Sequence, residues 1–221
     1  MEYLTHTLLD KSVSLQITQK LKTETSSWQD GKRTAGSLAA KIKNNFQLDK
    51  SSKISNEIKD LVVKQIISNP LIKSFTLPRV VHGVMFTKSL PGNGYGMHVD
   101  NPYMPSGRSD LSFTLFLNEP ANYEGGELCI QTINETKQIK LSAGEMIIYP
   151  STKLHSVTQV EKGERFVCVG WIQSYVQNNE DRNFLFGLDA GAKALLSKHG
   201  RSDELDLIFQ AYSNLLRRLG D

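Results

Sequence analysis

The chain has 221 residues, with 26 Lys+Arg against 23 Asp+Glu and a net charge of +3. That length suits one domain with a full hydrophobic core, and basic residues that are scattered rather than clustered mark no surface for nucleic acid or anionic lipid. The amino terminus has no basic segment followed by an apolar stretch, and no apolar run approaches a bilayer span, so the expectation is a soluble, cytoplasmic protein without membrane contact. Cys129 and Cys168 sit in apolar alternation, where a lone thiol behaves as a small buried hydrophobe and a reducing compartment fits.

In chain order, Asp10 precedes Val13, Leu15, Ile17 and Leu21, a stretch without Pro or Gly that favours a helix. Trp28 to Lys32 reads as a turn, and Ser37 opens a second short helix through Ala39, Ala40, Ile42 and Phe46. Ile54, Ile58, Leu61, Val62, Gln65 and Ile66 give the clearest helical spacing, which Asn69-Pro70 stops. From Pro78 the period changes to that of strands: 80 to 86, 111 to 117, 127 to 133, 138 to 141, 146 to 149, 155 to 160 and 165 to 172. Short strands at such intervals with Gly turns predict an antiparallel sandwich or barrel. After Asn178 helical spacing returns through Leu185, Leu188, Leu195, Leu205, Ile208 and Leu215. The expected division is a helical N-terminal segment packing on the core (1–77), a β core (78–178) and a helical C-terminal tail (179–221). The apolar face of the tail could cover the barrel or a second subunit, which leaves a homodimer open.

His98 and Asp100 stand at i and i+2, so on a strand both project to one face. Two imidazoles and one carboxylate on one face of an iron leave the opposite positions free, the arrangement of non-haem Fe(II) oxygenases, and His155, on a later strand, supplies the second imidazole. His6, His82 and His199 lie at a terminus, a strand break and a helix end. Arg165 then offers a planar fork for the far carboxylate of a diacid co-substrate such as 2-oxoglutarate. The competing reading makes Arg165 a hairpin residue paired with Glu161 or Glu164. A two-residue hairpin at Lys162-Gly163 would also set Arg165 on the wrong face. The metal reading survives with a loop of odd length, or with a chain that crosses at Glu161-Lys162-Gly163-Glu164 from one sheet to the facing one; the second is the expectation, with Arg165, Val167, Val169 and Trp171 turned to the lumen. Gly92, Gly94 and Gly96 form no nucleotide loop, because no helix follows them.

Gly96-Met97-His98-Val99-Asp100-Asn101, Tyr123-Glu124-Gly125-Gly126-Glu127-Leu128, His155-Ser156-Val157-Thr158, Gly163-Glu164-Arg165 and Trp171-Ile172-Gln173-Ser174 resemble the PKHD-type hydroxylases. These are Fe(II)/2-oxoglutarate dioxygenases related to prolyl 4-hydroxylase, and the signature around Trp28 to Gly36 and Lys43-Asn44-Asn45 is also similar. The resemblance implies a mainly β chain with flanking helices around a double-stranded β-helix (jelly-roll) core. It implies Fe(2+) at His98, Asp100 and His155, 2-oxoglutarate at Arg165, L-ascorbate as reductant, and O2 with a small-molecule or peptide substrate. One departure stands out: Lys88-Ser89 replaces the family's Arg-Tyr, so either a water bridges from the shorter Ser89 to the co-substrate or Tyr95 or another donor substitutes. Substrate contacts are expected from Asn101, Tyr103, the loop through Arg108, Lys43 and Asn44. The rival readings are a cupin-like small-ligand binder without turnover and a zinc hydrolase, the latter lacking a general base beside the triad.

Overall fold

A computed structural model describes residues 2–34 and 41–221. Strand Leu4–Thr7 (β1) leads to helix Lys11–Thr23 (α1), then to Trp28–Asp30 (β2), a 3-10 turn at Gly31–Thr34, Lys43–Asn44 (β3) and Phe46–Leu48 (β4). Helices Lys53–Ser68 (α2) and Pro70–Thr76 (α3) precede the long strand Pro78–Ser89 (β5). Next come Gly94–His98 (β6), Tyr103–Met104 (β7), Gly107–Arg108 (β8), Leu111–Phe116 (β9), Tyr123–Gly125 (β10), Leu128–Gln131 (β11) and Thr136–Ile139 (β12). Glu145–Pro150 (β13), His155–Val157 (β14), Val160–Gly163 (β15) and Arg165–Ser174 (β16) complete the strands, and helices Asn179–His199 (α4) and Asp203–Leu219 (α5) follow. No helix among the described residues is long and apolar enough to cross a membrane.

The strands form a seven-stranded sheet, β1-β13-β9-β16-β5-β4-β2, and a five-stranded sheet, β12-β11-β14-β6-β3, with two ribbons, β10-β15 and β7-β8. This is a jelly roll. Its larger sheet is sorted by the two-residue period of a strand. Leu111, Phe113, Leu115, Met146, Ile148, Val84, Phe86, Phe166 and Cys168 turn outward into one cluster with Ile17 and Leu21 of α1, Ile58, Val62 and Ile66 of α2, and Ile72 and Phe75 of α3. Phe116, Ile147, Tyr149 and Val167, one residue out of phase, turn inward. Each side chain buried in this way contributes about 1.5–3 kcal/mol, so the helices hold the sheet's register as well as cover it. Leu77, Val176 and Leu185 make a smaller cluster against Tyr212, Leu215, Leu216 and Leu219 of α5. Cys129 and Cys168 are buried free thiols.

Several local expectations need correction. Residues 35–40 of the helix expected from Ser37 lie outside the described residues, and from Lys43 the chain is strand: Lys43 pairs with Tyr95 and Phe46 with Lys88. Long-range pairing overrides the weak helical preference of a run containing Asn44 and Asn45. The turn expected at Trp28 is likewise a short strand, with Trp28 opposite Leu48. The first 77 residues therefore supply helices and also four strands shared between the two sheets. Asn69-Pro70 ends α2 but starts α3: the Asn69 side chain accepts from the Leu71 and Ile72 amides, and Pro70 takes the first helical position. The strand expected from His155 to Val160 is broken after Val157, because β15 leaves the five-stranded sheet to pair with β10.

Two glycines provide a paired test. Gly144 has φ +93°, and a Cβ there would lie 2.1 Å from the Leu9 carbonyl oxygen, whereas Gly191, inside α4, has open space around it. In urea denaturation Gly144→Ala should cost about 2–3 kcal/mol, and Gly191→Ala should add about 0.5–1 kcal/mol through helix propensity.

Candidate active site

Strand β14 pairs with β6 so that His155 stands opposite His98, and their rings approach to 4.2 Å between centroids. Strand β6 ends at His98, so Asp100 lies just past the strand rather than on it. Its carboxylate still reaches both imidazoles: Oδ1 lies 4.0 Å from His98 Nε2 and Oδ2 lies 3.8 Å from His155 Nε2. One donor atom from each of the three falls within 4.8 Å of the others, the one such group of His, Cys, Asp or Glu among the described residues.

The backbone sets the tautomers. His98 Nδ1 lies 2.8 Å from the Gly96 carbonyl oxygen and His155 Nδ1 lies 3.0 Å from that of Lys153. A carbonyl only accepts, so each Nδ1 carries a proton and each Nε2 is the atom turned toward Asp100. Burial, reinforced by His155, pushes His98 down to about 4, so its ring is neutral and ready to ligate at neutral pH. Ser112 donates to Asp100 Oδ2 at 2.5 Å and shares a 2.7 Å hydrogen bond with Ser151, fixing the carboxylate. Tyr95 stacks on His98 at 3.6 Å, and Tyr149 meets His155 edge to face at 5.3 Å. Burial, with Asp100 adding to it, raises the Tyr95 phenol to about 12.

Arg165 opens β16, in register with Ser89 of β5. Between His155 and Arg165 the chain runs from the five-stranded sheet through the β10-β15 ribbon into the seven-stranded sheet. The expected crossing is present, though it begins after Val157 rather than at Glu161, and Arg165, Val167, Val169 and Trp171 all line a cavity of about 140 Å³ shared with the triad. That volume holds on the order of ten water molecules, enough for a small organic diacid. Arg165 is 3% exposed, its guanidinium carbon sits 5.6 Å above the Phe116 ring, and its Nε has no hydrogen-bond partner among the described residues. Burial lowers its pKa, opposed by the neighbouring Tyr123 and Tyr149. Neither Glu161 nor Glu164 pairs with it: Glu164 bonds Lys22.

Ser89 is buried at the cavity wall and Tyr95 also lines it. Lys88 points the other way, its Nζ 4.7 Å over Trp28 and 5.6 Å over Phe46. Lys43, Asn101 and, from the loop through Arg108, Met104 line the cavity, whereas Asn44, Tyr103 and Arg108 do not. Asn44 donates to the Gly92 carbonyl, Tyr103 is 73% exposed and away from the cavity, and Arg108 is committed elsewhere. Its Nε donates to Asp110 at 2.7 Å, Nη1 to Asp221 at 3.0 Å and Nη2 to the Ser174 carbonyl at 3.0 Å. The remaining histidines have structural partners or ends: His6 meets Asn69, His82 meets Ser106 and the Arg108 carbonyl, and His199 ends α4. Sequence reasoning did not assign Ser112, Tyr149 or Phe116 a role, although the alternation of Ser112 and Thr114 with Phe113 and Leu115 signals a polar inward face.

Because Asp110 is buried and also accepts from the Ser174 amide, removing its partner strands a charge. Arg108→Ala should cost about 3 kcal/mol in chemical denaturation, and Asp221→Ala, which removes an exposed partner, far less.

Residues 84–173 match the model of the 2OG-Fe(II) oxygenase superfamily. Over their full lengths, the chain is 78% identical to a PKHD-type hydroxylase of Prochlorococcus marinus (strain NATL1A) and 66% identical to one of strain MIT 9313. Among solved structures, a Pseudomonas putida prolyl-4-hydroxylase superposes with a TM-score of 0.56 at 17% identity, over 78% of this chain and 92% of that one. A Trichoplax adhaerens prolyl hydroxylase, solved with a hypoxia inducible factor peptide fragment, gives 0.56 at 15% identity, over 83% and 86%. Those two share the fold; full-length identity to the Prochlorococcus proteins decides the family. The chain belongs to the PKHD-type hydroxylases of the 2OG-Fe(II) oxygenase superfamily.

Proposed function

We propose that His98, Asp100 and His155 hold the ferrous ion and that Arg165 holds the far carboxylate of 2-oxoglutarate, for hydroxylation of an unactivated C–H bond in a peptidyl proline, an amino acid or a small metabolite. The donor set supports this reading. Two imidazoles present Nε2 beside one carboxylate, a mixture suited to Fe(II). The observation that carries the co-substrate assignment is the guanidinium of Arg165, buried in the shared cavity with Nε unpartnered, where a carboxylate would supply the missing acceptor.

With O2, ferrous iron and 2-oxoglutarate supply the oxidation that places one oxygen atom in the substrate and the other in succinate, releasing CO2. The chain's own groups bind, orient and shield. Gly96 and Lys153 carbonyls aim the imidazoles, and Ser112 holds Asp100 from behind. Val167, Val169 and Phe116 make an apolar wall around Arg165, which strengthens its pairing with a carboxylate by excluding water. Ser89 and Tyr95 are our candidates for further co-substrate donors. Ser89 stands opposite Arg165, and the Tyr95 phenol keeps its proton at neutral pH. L-Ascorbate as reductant rests on the resemblance to prolyl 4-hydroxylases alone. A cytoplasmic setting rests on the two buried free thiols. Functionally we divide the chain into the core 78–178, which carries the site, and flanks that brace it, with α4 and α5 available to a second subunit.

Supplied anaerobically with Fe(II) and 2-oxoglutarate and then exposed to O2, the protein should form succinate. His155→Ala should abolish both stoichiometric iron binding and succinate. Arg165→Ala should keep the iron but weaken 2-oxoglutarate by a factor of ten or more, the value of a charge-assisted hydrogen bond. Parent-like behaviour of both variants would contradict the assignment. Separately, Ser112→Ala should lower iron affinity about 10–100-fold in competition with a chelator while leaving the ligands in place.

A further inference from the structure

Helix α4 is covered on one side only. Its buried residues are Arg182, Leu185, Asp189 and Ala192. On that side Phe186 meets Phe75 of α3 edge to face at 5.5 Å, and Leu185 belongs to the cluster that Tyr212, Leu215, Leu216 and Leu219 of α5 complete. The opposite side runs through Glu180, Phe184, Gly187, Gly191, Ala194 and Lys198, whose alternating spacing of four and three residues places them on one helical face. Every one of them is exposed. Phe184 stands 60% exposed, and Leu195, beside Ala194, 46%.

Nothing inside the chain accounts for the two glycines in the middle of this face. Neither has a positive φ, a Cβ at either position would meet no atom within 4 Å, and glycine costs a helix interior about 1 kcal/mol relative to alanine. Phe184 and Leu195 rise on either side of them. A dip between two apolar shoulders suits a second helix crossing at the close end of the usual range of roughly 8–10 Å between axes.

The charges point to which helix that is. Glu180 and Lys198, Phe184 and Ala194, and Gly187 and Gly191 are each equidistant in sequence from Asp189. A second copy of α4, crossing antiparallel about a two-fold axis at the height of Asp189, would therefore bring each residue to its counterpart, with acid against base at both ends. Neither the Glu180 nor the Lys198 side chain has an ion-pair partner among the described residues.

We propose that α4 is the dimerisation surface of this protein. Two copies cross antiparallel with Gly187 against the partner's Gly191, Phe184 on the partner's Ala194 and Leu195, and Glu180 paired with the partner's Lys198. The contact is isologous, so one patch serves both copies. A single helix crossing covers less than the ~1,600 Å² of a standard interface, so the dimer dissociates at micromolar concentration. The proposal is independent of the metal and co-substrate assignments. The competing reading is a solvated face whose acidic start and basic end complement the helix dipole, and it gives the glycines no role.

Sedimentation velocity of the full-length chain, from micromolar to submillimolar concentration, should show monomer passing to dimer. Gly187→Gln and Gly191→Gln place a long side chain in space that is open within one copy, and glutamine favours a helix over glycine. Each should therefore melt at the parent's temperature or higher in dilute solution, yet dimerise about tenfold more weakly or worse. Glu180→Lys and Lys198→Glu should each weaken the dimer about tenfold, two like-charge pairs replacing two attractive ones. Mixed in equal amounts, these two variants should recover it, because the mixed dimer restores both attractions. A chain that stays monomeric throughout, an assembly of another size, parent-like dimerisation of either glutamine variant, or no recovery on mixing the charge variants would each overturn the proposal.

Discussion

The pairing of β14 with β6 is the constraint on which the site depends. It sets His155 against His98, and a slip of one residue would turn either imidazole to the opposite face of the sheet. Nothing in that short pairing is strong by itself, since β14 has three residues. Its register is held from behind: Val157 packs with Leu128 and Ile130 in the inner cluster, β11 pairs along the other edge of β14 with His155 opposite Ile130, and the Gly96 and Lys153 carbonyls lock the two rings. The polar centre is therefore placed by apolar neighbours and backbone oxygens.

The facing sheet contributes through its alternation. One set of residues on β5, β9, β13 and β16 enters the dry cluster under α1, α2 and α3, which forces the other set, including Ser112, Tyr149 and Arg165, into the lumen. Burying a guanidinium is costly without a partner, and the apolar packing of Phe166 and Cys168 on the same strand offsets that cost. Two solved structures share the fold at 15–17% identity, and a shared fold does not fix chemistry, which rests on the few side chains that the sorting exposes to the lumen.

Much of this was legible in the chain. The His98-x-Asp100 spacing, His155 on a strand and Arg165 beyond a sheet crossing could be read because each rests on local alternation and on the need of the four groups to meet. What escaped reading depends on partners distant in sequence. Strands β3 and β4 exist because Tyr95 and Lys88 pair with them, and no local pattern around Lys43 announces that. Ser112 looks like any polar residue on a strand until Asp100 is placed beside it. Arg108 sits near His98 and Asp100 in sequence, yet Asp110, Ser174 and Asp221 claim it in space. Asn69-Pro70 shows a further limit, since a signal that stops one helix can start another.

Anomalous diffraction from anaerobic crystals of the Fe(II)-loaded protein would test the central claim most directly. The account predicts a single iron peak within bonding distance of His98 Nε2, His155 Nε2 and one Asp100 oxygen, on the cavity side that faces Arg165. An iron peak at other residues, or one that omits any member of this trio, would contradict it.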